Sequence, residues 1–148
     1  FSKNYTSTLF DKEGYEEGLH LNLFDGFENS QSYLNFMDSF FGSVDANDLL
    51  GMLNTWQMED IGMNEKFNNN TKALSHIKCS ALVMPSVTDL SFLARNNISE
   101  VKEMPNEELK VINTKYGHVV GGMSTASFSE EDVSFIDKNI KEFLKKID

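Results

Sequence analysis

Thiols, cations and long apolar runs are all scarce in this sequence, and each scarcity excludes something. Cys79 is the sole cysteine, so no internal disulfide can form. At the start of an apolar run it reads as a small buried hydrophobe, not a reactive thiol, in a reducing compartment. Lysine and arginine number 13 against 23 aspartates and glutamates, a formal net charge of -10. Nucleic acid and anionic membranes would be repelled by such a chain, which leaves a small molecule or another protein as its partner. No apolar stretch approaches the roughly 20 residues that span a bilayer, and no signal-peptide pattern opens the chain. The Asn-x-Ser/Thr triplets at Asn4, Asn69 and Asn97 are no more than so asparagine-rich a sequence produces by chance. A soluble, cytoplasmic protein is expected. Histidines are few as well: His20 and His76 read as surface or capping residues, and with Cys79 they form no metal-ligand spacing. The first residue is Phe1, as expected of a processed chain or of part of a longer one.

What is present suffices for a core. The 148 residues are 40% hydrophobic and 11% aromatic, which fits one domain of ordinary size. The first half reads as helices. Tyr33, Leu34, Phe36, Met37, Phe40 and Phe41 recur at the spacing of one helical face, with Gly42 placed to end it. A second helix follows Asp45 as N-cap, with Leu49, Leu50, Leu53 and Trp56 on one side. The polar stretch 66–72 is the best boundary, dividing a helical region, 1–72, from a mixed one, 73–148.

Beyond the boundary the pattern changes. Cys79 to Met84, closed by Pro85, reads as a buried strand; Ser91 to Met104 as a helix; Pro105 and Asn106 as a turn; Leu109 to Asn113 as a second strand. Ser129 then caps a closing helix whose Val133, Ile136, Ile140, Phe143, Leu144 and Ile147 share a face. Strand, helix, strand, helix implies an α/β fold, parallel strands flanked by helices, yet two strands cannot cover such helices on both sides. Further strands are expected from a missing N-terminal core, or cover from a second copy of the chain in a homodimer.

Open parallel sheets gather reactive groups just past the carboxyl ends of their strands. Asp89 follows the first strand there and His118 the second. In the stretch TKYGHVVGG, glycine before the histidine and twice soon after lets backbone pass close and frees the imidazole from the core. A carboxylate accepting the imidazole N–H is what a general base acting on a serine hydroxyl requires.

The segments VDANDLLGMLNTWQMEDIG (44–62), ALVMPSVTDLSF (81–92) and MPNEELKVINTKYGHVVGG (104–122), with the closing helix, resemble the C-terminal half of homoserine O-acetyltransferase-like α/β hydrolases. The resemblance implies an α/β-hydrolase fold in which residues 1–72 form a helical lid and 73–148 the last part of the core. It also implies Asp89 as triad acid and His118 as base. The activity it implies is transfer of an acetyl group to a hydroxyl acceptor, with acetyl-CoA as donor and no permanently bound cofactor. An esterase using water, or a non-catalytic relative acting as a binding protein, are the alternatives. The family's serine sits in a G-x-S-x-G-like elbow upstream of the lid, and no such motif occurs here. Ser124 follows the histidine and lacks the strand-turn-helix setting of a nucleophile. The fragment alone is therefore expected to be inactive. Homoserine acetyltransferases carry an aspartate directly after the histidine to meet the substrate's ammonium group; Val119 stands there instead, which argues against homoserine. Trp56, Asp60 and the phenylalanines of 36–41 are candidates to line a substrate tunnel, weighed against simple helix packing, and Val119 is a further substrate-binding candidate.

Overall fold

The computed structural model describes residues 9, 10, 12–22, 26–63, 65–121 and 129–147. Asn4 and Ser124 lie outside them. Helix α1 (Lys12–Glu16) leads through a 3-10 turn, Leu19–Asn22, to α2 (Ser30–Gly42) and α3 (Ala46–Met58). After the short α4 (Asn70–Ser75) come β1 (Ala81–Val83), α5 (Ala94–Val101), β2 (Glu107–Leu109) and α6 (Glu130–Ile147).

Short polar side chains start these helices by accepting otherwise unpaired backbone N–H groups. Asn29 accepts from Ser32, whose hydroxyl accepts in turn from the Asn29 N–H, a reciprocal capping box. Asp45, Asn69 and Ser129 accept from Asn47, Lys72 and Asp132. His76 ends α4 with its ring on the Lys72 carbonyl at 2.7 Å, the capping role expected of it.

β1 and β2 are parallel, with Ala81 opposite Glu107 and Val83 opposite Leu109. The second strand thus begins two residues before the expected LKVIN run. Pairing continues past both labelled strands: Lys110 N–H donates to the Val83 carbonyl, Ile112 to Pro85 and Val87 to Ile112. Pro85 closes the first strand because it has no N–H to give, but its carbonyl still serves the ladder. Both chains therefore leave the sheet in the same direction and at the same level.

The core cluster joins the helical segment to the histidine turn. Phe10 and Tyr33 are fully buried, with Leu9, Met37 and Val119 beside them. His20 belongs to this interior, contrary to the surface position expected of it. It is 2% exposed, stacked on Tyr15 and edge-on to Tyr33, with Nε2 on the Ser30 hydroxyl at 3.2 Å and Nδ1 without a partner among the described residues. An imidazole flanked by rings passes for a hydrophobe while neutral, which spacing alone does not reveal. Burial pushes its pKa below the ordinary value, because the charged form loses its hydration. The unfolded chain then binds the proton more readily than the folded one. Stability is full above about pH 6.5 and declines as pH falls below it. Urea melts at pH 7.5 and 5.5 should show a loss of stability on acidification that His20→Gln reduces; equal losses in both proteins would contradict it.

Two further expectations change. Cys79 is exposed, because the strand starts only at Ala81. On α6 the buried residues are Asp132 and Asn139, whereas Val133, Ile140, Leu144 and Ile147 are 41–49% exposed. Two strands are too narrow to cover the whole apolar stripe, and polar anchors fix the helix instead. Asp132 accepts from Thr114 at 2.6 Å, and Lys146 donates to both oxygens of Glu108 at 2.8 Å. On α3 no residue is buried. Among the described residues no helix is long and apolar enough to cross a membrane.

Candidate active site

Asp89 and His118 meet on one rim of the sheet. The His118 Nδ1 lies 3.0 Å from Asp89 Oδ2. The other carboxylate oxygen, Oδ1, accepts backbone N–H groups from Ser91 at 2.7 Å and Phe92 at 2.9 Å. With Oδ1 committed to two donors, the carboxylate cannot rotate away, and Oδ2 is left facing the imidazole. Asp89 is 11% and His118 34% exposed at the side chain, so the carboxylate is sheltered while the imidazole stays partly open. Asp89 accepts, so the ring carries its proton at Nδ1 and leaves Nε2 free to take one.

The histidine is aimed by its neighbours on both sides. Gly117 has φ +50°, in the left-handed region, and a Cβ there would collide with the Leu9 carbonyl and sit 3.1 Å from the Phe10 Cα. Only glycine lets the two backbones approach so closely. Val119, next in the same 3-10 turn (Gly117–Val119), is buried with Leu9, Phe10, Tyr33 and Met37. Burying it stabilises the turn by roughly 1.5–3 kcal/mol. Its isopropyl group is packed in that core. With one neighbour pressed against backbone and the other in the core, His118 projects outward. Glycine precedes this histidine because the Leu9–Phe10 backbone leaves no room for a side chain there.

A threonine ties the acid loop to the histidine loop. Thr88 donates its hydroxyl proton to the Thr114 carbonyl at 2.6 Å and accepts from the Gly117 N–H at 3.2 Å. Thr114, itself buried, accepts from Tyr116 and donates to Asp132 on α6. The loops bearing Asp89 and His118 are thus braced to each other and to the closing helix. Behind this brace lies a cavity of about 500 Å³ lined by Glu13, Glu17, Thr114, Lys115 and Asp132; neither Asp89 nor His118 lines it. Lys115 bridges Glu13 and Glu17 at 2.8 Å each, and these hydrogen bonds raise its pKa.

The other candidates divide. Trp56 on α3 reaches the site: its ring centroid is 5.7 Å from that of Phe92, which lies 5.3 Å from the His118 ring. Asp60 is exposed and closes a turn by accepting from the Gly62 N–H. Phe36 and Phe40 are 40% and 56% exposed, packed on Phe27 and Phe41 respectively. Phe92 was not singled out from the sequence, although an aromatic three residues after a loop aspartate was the available signal. Among the described residues no cluster of histidine, cysteine and carboxylates could hold a metal ion.

The paired carboxylate and imidazole on a parallel rim bear directly on the comparison with known proteins. No family model matches the chain. A protein described as a probable esterase, from Corynebacterium glutamicum, is 33% identical over 121 residues, 81% of this chain and 33% of that protein. An ethyl acetate hydrolase from Pseudomonas veronii is 33% identical over 119 residues, 80% of this chain and 33% of that protein. Among solved structures, an acetylester hydrolase from Corynebacterium glutamicum superposes with TM-score 0.77 at 30% identity, over 97% of this chain and 40% of its own. The acetyl esterase MekB gives 0.76 at 29% identity, with the same shares. The relatives are esterases. The chain spans about a third of the length of these curated relatives, and shares their α/β-hydrolase-like fold along nearly all of its own. The resemblance drawn from the motifs therefore holds for the fold, and these relatives are ester hydrolases, not acetyltransferases.

Proposed function

We propose that this chain is the acid- and base-bearing part of a serine-dependent α/β hydrolase that cleaves short acetyl esters, with residues 1–72 as its lid. The single observation behind this reading is the 3.0 Å His118–Asp89 contact with the second carboxylate oxygen held by two backbone donors. The hydrolase names of the relatives favour water over an alcohol as acceptor.

In this reading a serine supplied by polypeptide outside these residues attacks the ester carbonyl, and His118 Nε2 takes its proton. Nε2 then passes that proton to the departing alcohol, leaving an acetyl-serine. Water gives a proton to Nε2, attacks the acetyl-serine, and acetate leaves as the serine recovers its hydrogen. Asp89 holds the tautomer and stabilises the imidazolium throughout. No resident cofactor is needed for these steps, and acetyl-CoA belongs to the transfer alternative. The 148-residue chain by itself should not turn over. Its partners are a small ester and the polypeptide carrying the serine, not nucleic acid or membrane; a second copy of this sequence, having no G-x-S-x-G-like elbow, does not supply that serine. An exposed, unpaired Cys79 fits a reducing, cytoplasmic setting.

The test follows products. With ethyl acetate and an added primary alcohol, the catalytically complete protein should release ethanol and acetate in equal amounts. Acetylated alcohol as the main product, or rapid acetyl-CoA consumption, would restore transfer.

A further inference from the structure

Phe92 lies beside the imidazole and Trp56 beside Phe92, and nothing among the described residues covers either ring fully. Trp56 is 58% and Phe92 50% exposed. The Phe92 ring is tilted 33° to His118, and the Trp56 ring 53° to Phe92, so the three form a continuous aromatic row. Phe92 is held there because its own N–H donates to Asp89. Trp56 comes from α3, which buries no residue elsewhere.

Proton chemistry decides which half of an ester would meet this row. Asp89 occupies Nδ1, so transfer occurs at Nε2. The departing alcohol must take its proton from that nitrogen, which requires its oxygen within hydrogen-bond reach of the imidazole. The carbon chain on that oxygen therefore starts beside His118. The acyl chain is tied to the serine and has no such obligation.

We propose that the exposed ring faces of Trp56 and Phe92 form the subsite for the alcohol half of the ester, favouring apolar alcohols by contact. This rests on the esterase reading above. Because the rings are half open, they add apolar contact as the alcohol lengthens, each methylene so covered strengthening binding in the transition state.

The experiment compares two ester series on the catalytically complete protein. Ethyl, butyl and hexyl acetate vary the alcohol; p-nitrophenyl acetate and butyrate vary the acyl group over a constant leaving group. Trp56→Ala is expected to lower the hexyl-to-ethyl ratio of kcat/KM by about tenfold, the worth of roughly two covered methylenes. The butyrate-to-acetate ratio should stay unchanged, and Trp56→Phe should retain most of the hexyl preference. An unchanged hexyl-to-ethyl ratio in Trp56→Ala, or an equal change in the acyl series, would overturn the subsite. Full turnover in His118→Ala would instead sink the esterase reading itself, so the two failures are distinguishable.

Discussion

Replacing His118 with alanine should lower kcat of the catalytically complete protein by about 10⁵- to 10⁶-fold, with the fold intact. Serine attack at neutral pH needs a base within hydrogen-bond reach, and the departing alcohol needs an acid; in the proposed mechanism one imidazole does both. Where such a group works as a unit with its neighbours, its removal costs nearly as much as removing the whole set. Loss of structure is not expected to contribute, since the His118 side chain is 34% exposed and its Asp89 contact is the one polar contact its ring makes among the described residues. Gly117 and Val119 hold the turn without it. Steady-state kinetics alongside a thermal melt make the check. A melt unchanged and a rate within tenfold of the original would reject the assignment.

Asp89→Asn should cost about 10⁴-fold in kcat with little change in KM. The cause is the direction of the hydrogen bonds. Ser91 and Phe92 both donate to Oδ1, so the amide oxygen of asparagine must take that place. Its NH₂ then occupies the Oδ2 position and points at Nδ1. Two donors cannot face each other, so the imidazole shifts its proton to Nε2, where a base must be empty. The geometry survives and the tautomer is wrong. A drop of tenfold or less would mean that Asp89 only buttresses the loop.

The Asp89–His118 pair was legible because its evidence is local. Each residue follows a short apolar run closed by a turn, and parallel strands bring such residues to one rim wherever the exact register falls. The strand itself was read two residues late, since Glu107 and Glu108 break the apolar pattern while still pairing with Ala81 and Leu82. Caps at Asp45 and Ser129 were legible for the same local reason. Long-range packing was not. That His20 is interior depends on Tyr15 and Tyr33 meeting it from two helices. That Val119 faces the core depends on the segment at Leu9 and Phe10, over a hundred residues earlier. Phe92, in a loop, acquires its place from a hydrogen bond to Asp89 and a tryptophan on α3. Periodicity marked the stripe on α6 correctly as apolar, but which residues are covered is set by the width of the sheet beneath.

The most direct measurement is the pair of ¹⁵N ring shifts of His118 at a pH where imidazole is neutral. Asp89 accepting from the ring predicts a protonated Nδ1 and a bare Nε2, with the pattern reversed in Asp89→Asn. A protonated Nε2 in the unaltered protein, indifferent to the substitution, would contradict the pairing on which the proposed chemistry stands.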